Sequence, residues 1–196
     1  MLQIRIHGRG GQGVVTAAET LSIAAFEQGR HAQAFPSFGS ERTGAPVVAF
    51  CRIDDRPIRL REPVVAPDAV IVQDPTLLQQ VDVFQGLAPS GFVLVNSRRD
   101  LHSLGIDELL DRFDPARLAT VPATEIALRH LNRPLPGVAL LGAFAALSGW
   151  ISLDAVHQAI GDKFKGPVAQ ANRAAAEEAF RFIEAARRKE THAQAD

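Results

Sequence analysis

Apolar residues recur along this chain in two rhythms. Leu2-Gln3-Ile4-Arg5-Ile6 alternates apolar and polar, the period of a strand. From Val14 to Phe26 the apolar positions fall three and four apart, which predicts a helix from about Gln12 to Gln28, stopped at Gly29. His31–Phe35 reads as a short extended stretch that ends at Pro36. Val47–Ile53 reads as a buried strand. Asp54-Asp55-Arg56-Pro57 is a turn signal and Ile58-Arg59-Leu60-Arg61 alternates again, so these two stretches are expected to form a β-hairpin.

Ala69–Val72, Phe92–Val95 and Arg117–Val121 are compact apolar runs of the kind buried on both faces of a parallel sheet. Asp74-Pro75 opens a short helix, and Thr124 is the expected N-cap of a helix through Leu131. Val138–Ser148 turns helical and ends at Gly149. Ser152 caps Leu153–Ile160, and Gly166-Pro167 introduces an alanine-rich helix to about Lys189. The expected fold class is α/β: a Rossmann-like, largely parallel sheet with flanking helices, one β-hairpin and a C-terminal helical segment that covers the sheet or reaches to a partner. The 196 residues suit one domain, over 1–190, with a frayed tail at 191–196.

Charge narrows the partners. With 21 basic and 22 acidic side chains the net charge is -1, which gives no case for nucleic acid or a membrane surface. No apolar run approaches the roughly 20 residues of a membrane span, and no charged-then-apolar leader precedes the first strand, so the expected location is cytoplasmic. Cys51 is the single cysteine. An internal disulfide, a zinc ribbon or a cysteine-ligated iron–sulfur cluster is therefore impossible from this chain alone. The six histidines do not cluster, and no metal site is expected.

Between the first strand and the first helix lies Gly8-Arg9-Gly10-Gly11-Gln12-Gly13, which fits G-x-G-x-x-G through Gly8, Gly10 and Gly13. Such a loop lets backbone N–H groups at a helix N-terminus approach an anion. A dinucleotide reading needs an acid about 20 residues on, and Arg30-His31-Ala32-Gln33-Ala34-Phe35 has none. Dinucleotide binding, with Arg30 taking a ribose phosphate, remains one reading. Close strand–helix packing is a second, and an anionic ligand or partner surface is a third. The polar loop Ser37–Gly44, with Ser40, Glu41, Arg42 and Thr43, is expected at the carboxyl edge of the same sheet, as a ligand loop or a solvated one.

Asn96-Ser97-Arg98-Arg99 is expected at that edge too, as a phosphate clamp or a solvated turn. Arg59 and Arg61 share one face of the predicted hairpin and read as surface or subunit-contact residues. His7 could approach a ligand, but the plainer expectation is a histidine satisfied within the fold. Cys51, in phase with Val47 and Ala49, is expected to be an inert core thiol. No acid/base or nucleophile constellation is present, so no catalytic residue is assigned. In an enzyme this chain would be an accessory piece.

Three segments together resemble one family: His7–Gly13, then Gln33-Ala34-Phe35-Pro36-Ser37-Phe38-Gly39-Ser40-Glu41-Arg42-Thr43-Gly44-Ala45-Pro46-Val47, then Arg52-Ile53-Asp54. Asp74-Pro75-Thr76-Leu77, Thr124-Glu125-Ile126-Ala127 and Leu140-Leu141-Gly142-Ala143 are similar as well. The family is the gamma subunit of 2-oxoacid:ferredoxin oxidoreductases, of which pyruvate synthase (pyruvate:ferredoxin oxidoreductase) is the best-known member. The resemblance runs from about Gln3 to Phe182.

It implies a complex that decarboxylates a 2-oxoacid on thiamine diphosphate with magnesium, passes electrons through [4Fe-4S] clusters to ferredoxin, and releases an acyl-CoA. It implies alpha, beta and delta-type partner subunits that hold those cofactors, with none bound by this chain alone. The isolated chain is expected to be inactive. In single-chain relatives the matching domain is associated with coenzyme A. By that resemblance Gly10, Gly11, Gln12 and Gly13, with Ser40, Arg42 and Thr43 beside them, would face coenzyme A or a partner's active-site entrance. Ser37, Ser40 and Thr43 stand where relatives often carry other residues, which leaves the substrate open. Pyruvate, a branched-chain oxoacid, and an aromatic one (phenylglyoxylate or indolepyruvate), with NAD as final acceptor through an FAD-bearing flavin subunit, all remain. The sequence is also compatible with a stand-alone nucleotide-binding protein or a purely structural subunit.

Overall fold

The computed structural model describes residues 1–37, 43–107 and 111–193, with side chains described to residue 189. Its strands are β1 (Leu2–Arg9), β2 (His31–Pro36), β3 (Pro46–Asp54), β4 (Ala69–Val72), β5 (Phe92–Asn96) and β6 (Leu118–Val121). Its helices are α1 (Val14–Glu27), α2 (Ala123–Leu131), α3 (Gly137–Ser148), α4 (Leu153–Lys163) and α5 (Gly166–Ala193). The sheet runs β2-β3-β1-β4-β5-β6. β1, β4, β5 and β6 are parallel, and β3 lies antiparallel to both β1 and β2.

The predicted hairpin is replaced by a different one. β3 pairs with β2 through His31↔Asp54 to Pro36↔Ala49, and with β1 through Leu2↔Ile53 to Arg9↔Pro46. Both edges of β3 are thus taken, and no backbone is left for Ile58–Arg61, which forms no strand. Arg59 and Arg61 instead stand exposed on an irregular strap between β3 and β4.

Alternation sets the two faces. Ile4, Ile6, Cys51, Ile53, Ile71 and Leu94 point to one side and share a core with residues of all five helices, among them Leu21, Ile126, Leu140, Leu141, Phe144, Ile160 and Ile183. Each such side chain contributes about 1.5–3 kcal/mol by leaving water. Cys51 is the inert core thiol expected, and burial pushes its thiol pKa up. Close approach decides one position. A Cβ on Gly142 of α3 would sit 2.0 Å from the Ala176 carbonyl oxygen of α5, so only glycine fits there.

The opposite face carries a second, smaller core, where Val70, Val72, Val93 and Val95 meet Leu77, Phe84, Leu87, Leu104, Ile106 and Phe113 from loops and 3-10 turns. Under the strap that face is polar, with Arg5 and Arg52 buried, and His7 is buried further along β1. No helix among the described residues is long and apolar enough to cross a membrane.

Helix ends follow local chemistry. Ser152 caps α4 as expected, its hydroxyl accepting from the Ala155 N–H at 3.1 Å. Thr124 does not cap α2; the N-cap is Pro122, without a side-chain bond. The cap comes from a neighbouring strand, where Asn96 Oδ1 accepts from the Thr124 N–H at 3.1 Å. α5 continues past Lys189 to Ala193.

Candidate functional site

β1 ends by feeding a turn. Gly11 and Gly13 adopt φ of 93° and 74°, a region in which a side chain is strained. A Cβ at either would meet nothing within 4 Å, so both turn their open sides away from the fold. Gly8 does the opposite job. A Cβ there would lie 2.6 Å from Val14 Cγ2 and 3.2 Å from Gln73 Cβ, so this glycine permits strand and helix to touch. The packing reading therefore belongs to Gly8, and the exposed turn belongs to Gly11 and Gly13.

α1 starts immediately. Its first backbone bond runs from the Ala17 N–H to the Gly13 carbonyl at 2.9 Å. The N–H groups of Val14, Val15 and Thr16 therefore have no partner within the helix, and the helix dipole adds positive potential at that end. They stand over a cleft of about 440 Å³ lined by Arg9, Gly10, Gly11, Gly13, Val14, Val15, Thr16, Thr43 and Val47.

The second loop joins the first at this edge. The Gly10 N–H donates to the Ala45 carbonyl at 2.9 Å and the Gly44 N–H donates to the Gly10 carbonyl at 3.1 Å. Thr43 forms a bridge with Gly10 and lines the cleft. The structure thus brings Gly10, Gly11, Gly13 and Thr43 together. Ser40 and Arg42 lie outside the described residues. Gln12 turns inward: its Oε1 accepts from the Arg9 N–H at 2.8 Å and its Nε2 donates to Asp74 Oδ2 at 2.9 Å. What this turn offers the cleft is therefore backbone, not the Gln12 amide.

Sequence reasoning does not single out Arg9 and Asp74 as site residues, yet they fix its shape. The Arg9 guanidinium donates to Asp74 Oδ2 (3.1 Å), the Gly44 carbonyl (3.0 Å), Thr76 Oγ1 (2.7 Å) and Gln80 Oε1 (2.9 Å). It clasps both loops to the turn after β4. Asp74 Oδ1 in turn accepts from the Thr76 N–H and hydroxyl, at 3.0 and 2.6 Å. Burial opposes ionisation of Asp74, but hydrogen bonds from Thr76 and Gln12 and the Arg9 charge outweigh it, so its pKa lies below the usual carboxylate range. The only signal in the sequence is Asp74-Pro75-Thr76, the signature of a capped turn.

Beneath the clasp lie two polar groups without partners among the described residues. Gln73 is 1% exposed and neither atom of its amide is hydrogen-bonded; its backbone N–H donates to the His7 carbonyl at 2.7 Å. His7 is buried with Nε2 unpartnered, which corrects the expectation of a satisfied ring. Desolvation, then the nearby Arg5 charge, lower its pKa to about 4, so it is neutral at pH 7.

Arg98 and Arg30 are engaged away from this edge loop. Arg98 pairs with Glu125 at 3.5 Å and Arg30 with Asp55 at 3.1 Å, and neither lines the cleft. Among the described residues no group of three or more His, Cys, Asp or Glu could hold a metal.

The described residues form an α/β domain whose two loops join at the carboxyl edge of the sheet, beside the open end of α1. The chain belongs to the pyruvate ferredoxin/flavodoxin oxidoreductase family, which its sequence matches over residues 3–182. Within that family it is a gamma-type chain, a subunit of an oxidoreductase. It is 49% identical to the pyruvate/ketoisovalerate oxidoreductases common subunit gamma of Thermococcus kodakarensis, over 92% of this chain and 96% of that one. It is 46% identical to the pyruvate synthase subunit PorC of Methanothermobacter thermautotrophicus, over 94% and 97%. Its fold matches the crystal structure of pyruvate oxidoreductase subunit PORC from Thermotoga maritima with a TM-score of 0.77 and 36% identity, over 92% and 95%. A 2-oxoglutarate:ferredoxin oxidoreductase from Magnetococcus marinus shares the fold at 18% identity and a TM-score of 0.70. The match covers 94% of this chain and 31% of that one.

Proposed function

We propose that this chain is the gamma subunit of a multi-subunit CoA-acylating 2-oxoacid oxidoreductase, with pyruvate or a branched-chain oxoacid as substrate. Relatives named for pyruvate and ketoisovalerate, at 46 and 49% identity, support that choice over an aromatic oxoacid. The acceptor is ferredoxin or a similar carrier.

In this reading the chain binds and positions coenzyme A and holds the assembly together. The observation that carries it is the cleft under the Gly10–Thr43 bridge. Unpaired N–H groups at the α1 N-terminus suit a phosphate of the coenzyme. Gly10, Gly11 and Gly13 supply backbone approach, and Thr43 supplies a hydroxyl. Ser40 and Arg42, in the same loop by sequence, supply a hydroxyl and a cation. Gln12 acts indirectly by holding the turn.

Thiamine diphosphate with magnesium and the iron–sulfur clusters supply decarboxylation and electron transfer, and they belong to alpha, beta and delta-type partners. This chain does not fit the cluster-holding role, because its only cysteine is buried in β3.

Arg42→Ala in the assembled complex is expected to raise the KM for coenzyme A at least several-fold with the oxoacid KM unchanged. An unaltered KM in an intact complex would leave the loop with an interface role only. Purification of the tagged chain from its own cells should bring down a brown, thiamine-containing complex; recovery of the chain alone would defeat the subunit reading.

A further inference from the structure

The strap between β3 and β4, residues 55–66, is held in an unusual way. Only Val64 of residues 55–65 is fully buried, so the segment has almost no core of its own. Two buried guanidiniums anchor it instead. Arg52 Nη2 donates to the Glu62 carbonyl at 2.6 Å, and Arg5 Nη1 donates to the Val64 carbonyl at 3.5 Å. Arg5 Nη2 also donates to the Val83 and Gln85 carbonyls at 2.8 and 2.7 Å, tying the strap to its neighbouring segment. Neither arginine makes a salt bridge among the described residues. Burial lowers the pKa of both guanidiniums, against the opposing charges of Asp82 near Arg5 and Glu62 near Arg52, so holding them here is costly, and it fixes the course of a surface loop.

That fixed course displays a particular surface. Arg56, Arg59 and Arg61 are exposed and make no ion pair with the described residues. Between and beside them stand the apolar side chains of Leu60 and Val65, the latter 79% exposed. Unpaired arginines interleaved with apolar side chains are what an interface core and rim require.

We propose that this strap is the surface on which the chain docks an acidic, partly apolar face of another subunit of its complex, an inference that rests on the subunit reading above. The strap leaves β3 beside Leu2 of β1 and enters β4 beside Ile4, at the amino edge of the sheet. The glycine cleft lies at the carboxyl edge. Docking here leaves that cleft open to ligand.

Two measurements test it. In the wild-type complex, hydrogen exchange of the strap amides should slow at least tenfold relative to the free chain. Exchange at the same rate in both would overturn the proposal. The charge reversal Arg56→Glu, Arg59→Glu and Arg61→Glu should weaken assembly at least tenfold and flatten its salt dependence, while the matching lysine triple assembles nearly normally. Assembly of the glutamate triple with unchanged affinity and salt slope would overturn it. Intact assembly with only a raised KM for the electron-accepting protein would also overturn it and reassign the strap to that carrier. Failure of the wild-type chain to co-purify with any partner is a different outcome: it removes the subunit reading itself.

Discussion

Arg9 and Asp74 meet across the carboxyl edge of the sheet, Arg9 Nε donating to Asp74 Oδ2 at 3.1 Å. The pair joins β1 to the turn after β4, and the same guanidinium reaches Gly44 in the second loop. The side chains are 22% and 13% exposed, so solvent screens the contact only partly. Asp74→Ala strands the Arg9 and Gln12 donors at once and should cost about 2–3 kcal/mol in urea unfolding. Arg9→Lys keeps the charge but loses the fork that reaches several acceptors. It should cost less in stability while still raising the KM for coenzyme A in the assembled enzyme. Wild-type stability in Asp74→Ala would show that the clasp is an adornment.

His7 makes a prediction about pH. Its folded pKa of about 4 lies below the value near 6.5 for an unfolded histidine. Between those values the unfolded chain binds one more proton than the folded one, so stability falls as pH is lowered through that window. The slope is about 1.4 kcal/mol per pH unit, and the total loss approaches 3 kcal/mol near pH 4. Asp74, with a depressed carboxylate pKa, adds its own loss only below about pH 4. Denaturation at pH 7, 6, 5 and 4.5 should show the slope in the wild type and lose most of it in His7→Asn. Equal slopes would mean that His7 is not the titrating group.

Most of the frame is legible in the sequence because its signals are local. The run Ala69–Val72, the turn at Asp74-Pro75, the stop at Gly149 and the Ser152 cap each lie within a few residues of the feature they specify. The insertion of β3 between β2 and β1 is not, since nothing within Val47–Ile53 records which strands flank it. The burial of Arg5 is not legible either, because it lies beneath a strap contributed some sixty residues later. Of the site, the glycine turn and its encounter with the second loop are readable. The Arg9–Asp74 clasp and the inward turn of Gln12 are not, because each depends on side chains more than sixty residues apart.

The glycine loop separates packing from binding. Gly8→Ala places a methyl 2.6 Å from Val14 Cγ2, so either α1 or β1 must shift, at a cost of about 1–3 kcal/mol. Gly11→Ala finds open space but a positive φ, at a cost of about 1 kcal/mol. If the cleft holds a ligand, Gly11→Ala should be the more harmful of the two to the KM for coenzyme A. Gly8→Ala should be the more harmful to thermal stability. The reverse ordering would move the ligand away from this turn.

Asn96 carries the last link between the sheet and the site. Its Nδ2 donates to the Gln73 carbonyl and to Thr124 Oγ1, both at 2.7 Å, while its Oδ1 accepts from the Thr124 N–H. One buried amide therefore holds the residue preceding Asp74 and the first turn of α2 together. Asn96→Ala leaves the Gln73 carbonyl and the Thr124 N–H without these partners, and the expected cost is about 2 kcal/mol. Thr124→Val removes only the hydroxyl acceptor and should cost about 1 kcal/mol. Because the two side chains share a bond, the double variant should fall short of the sum by about 0.5–1 kcal/mol in a double-mutant cycle. Strict additivity would mean that strand and helix are held independently, and that the clasp at Asp74 takes no support from β5.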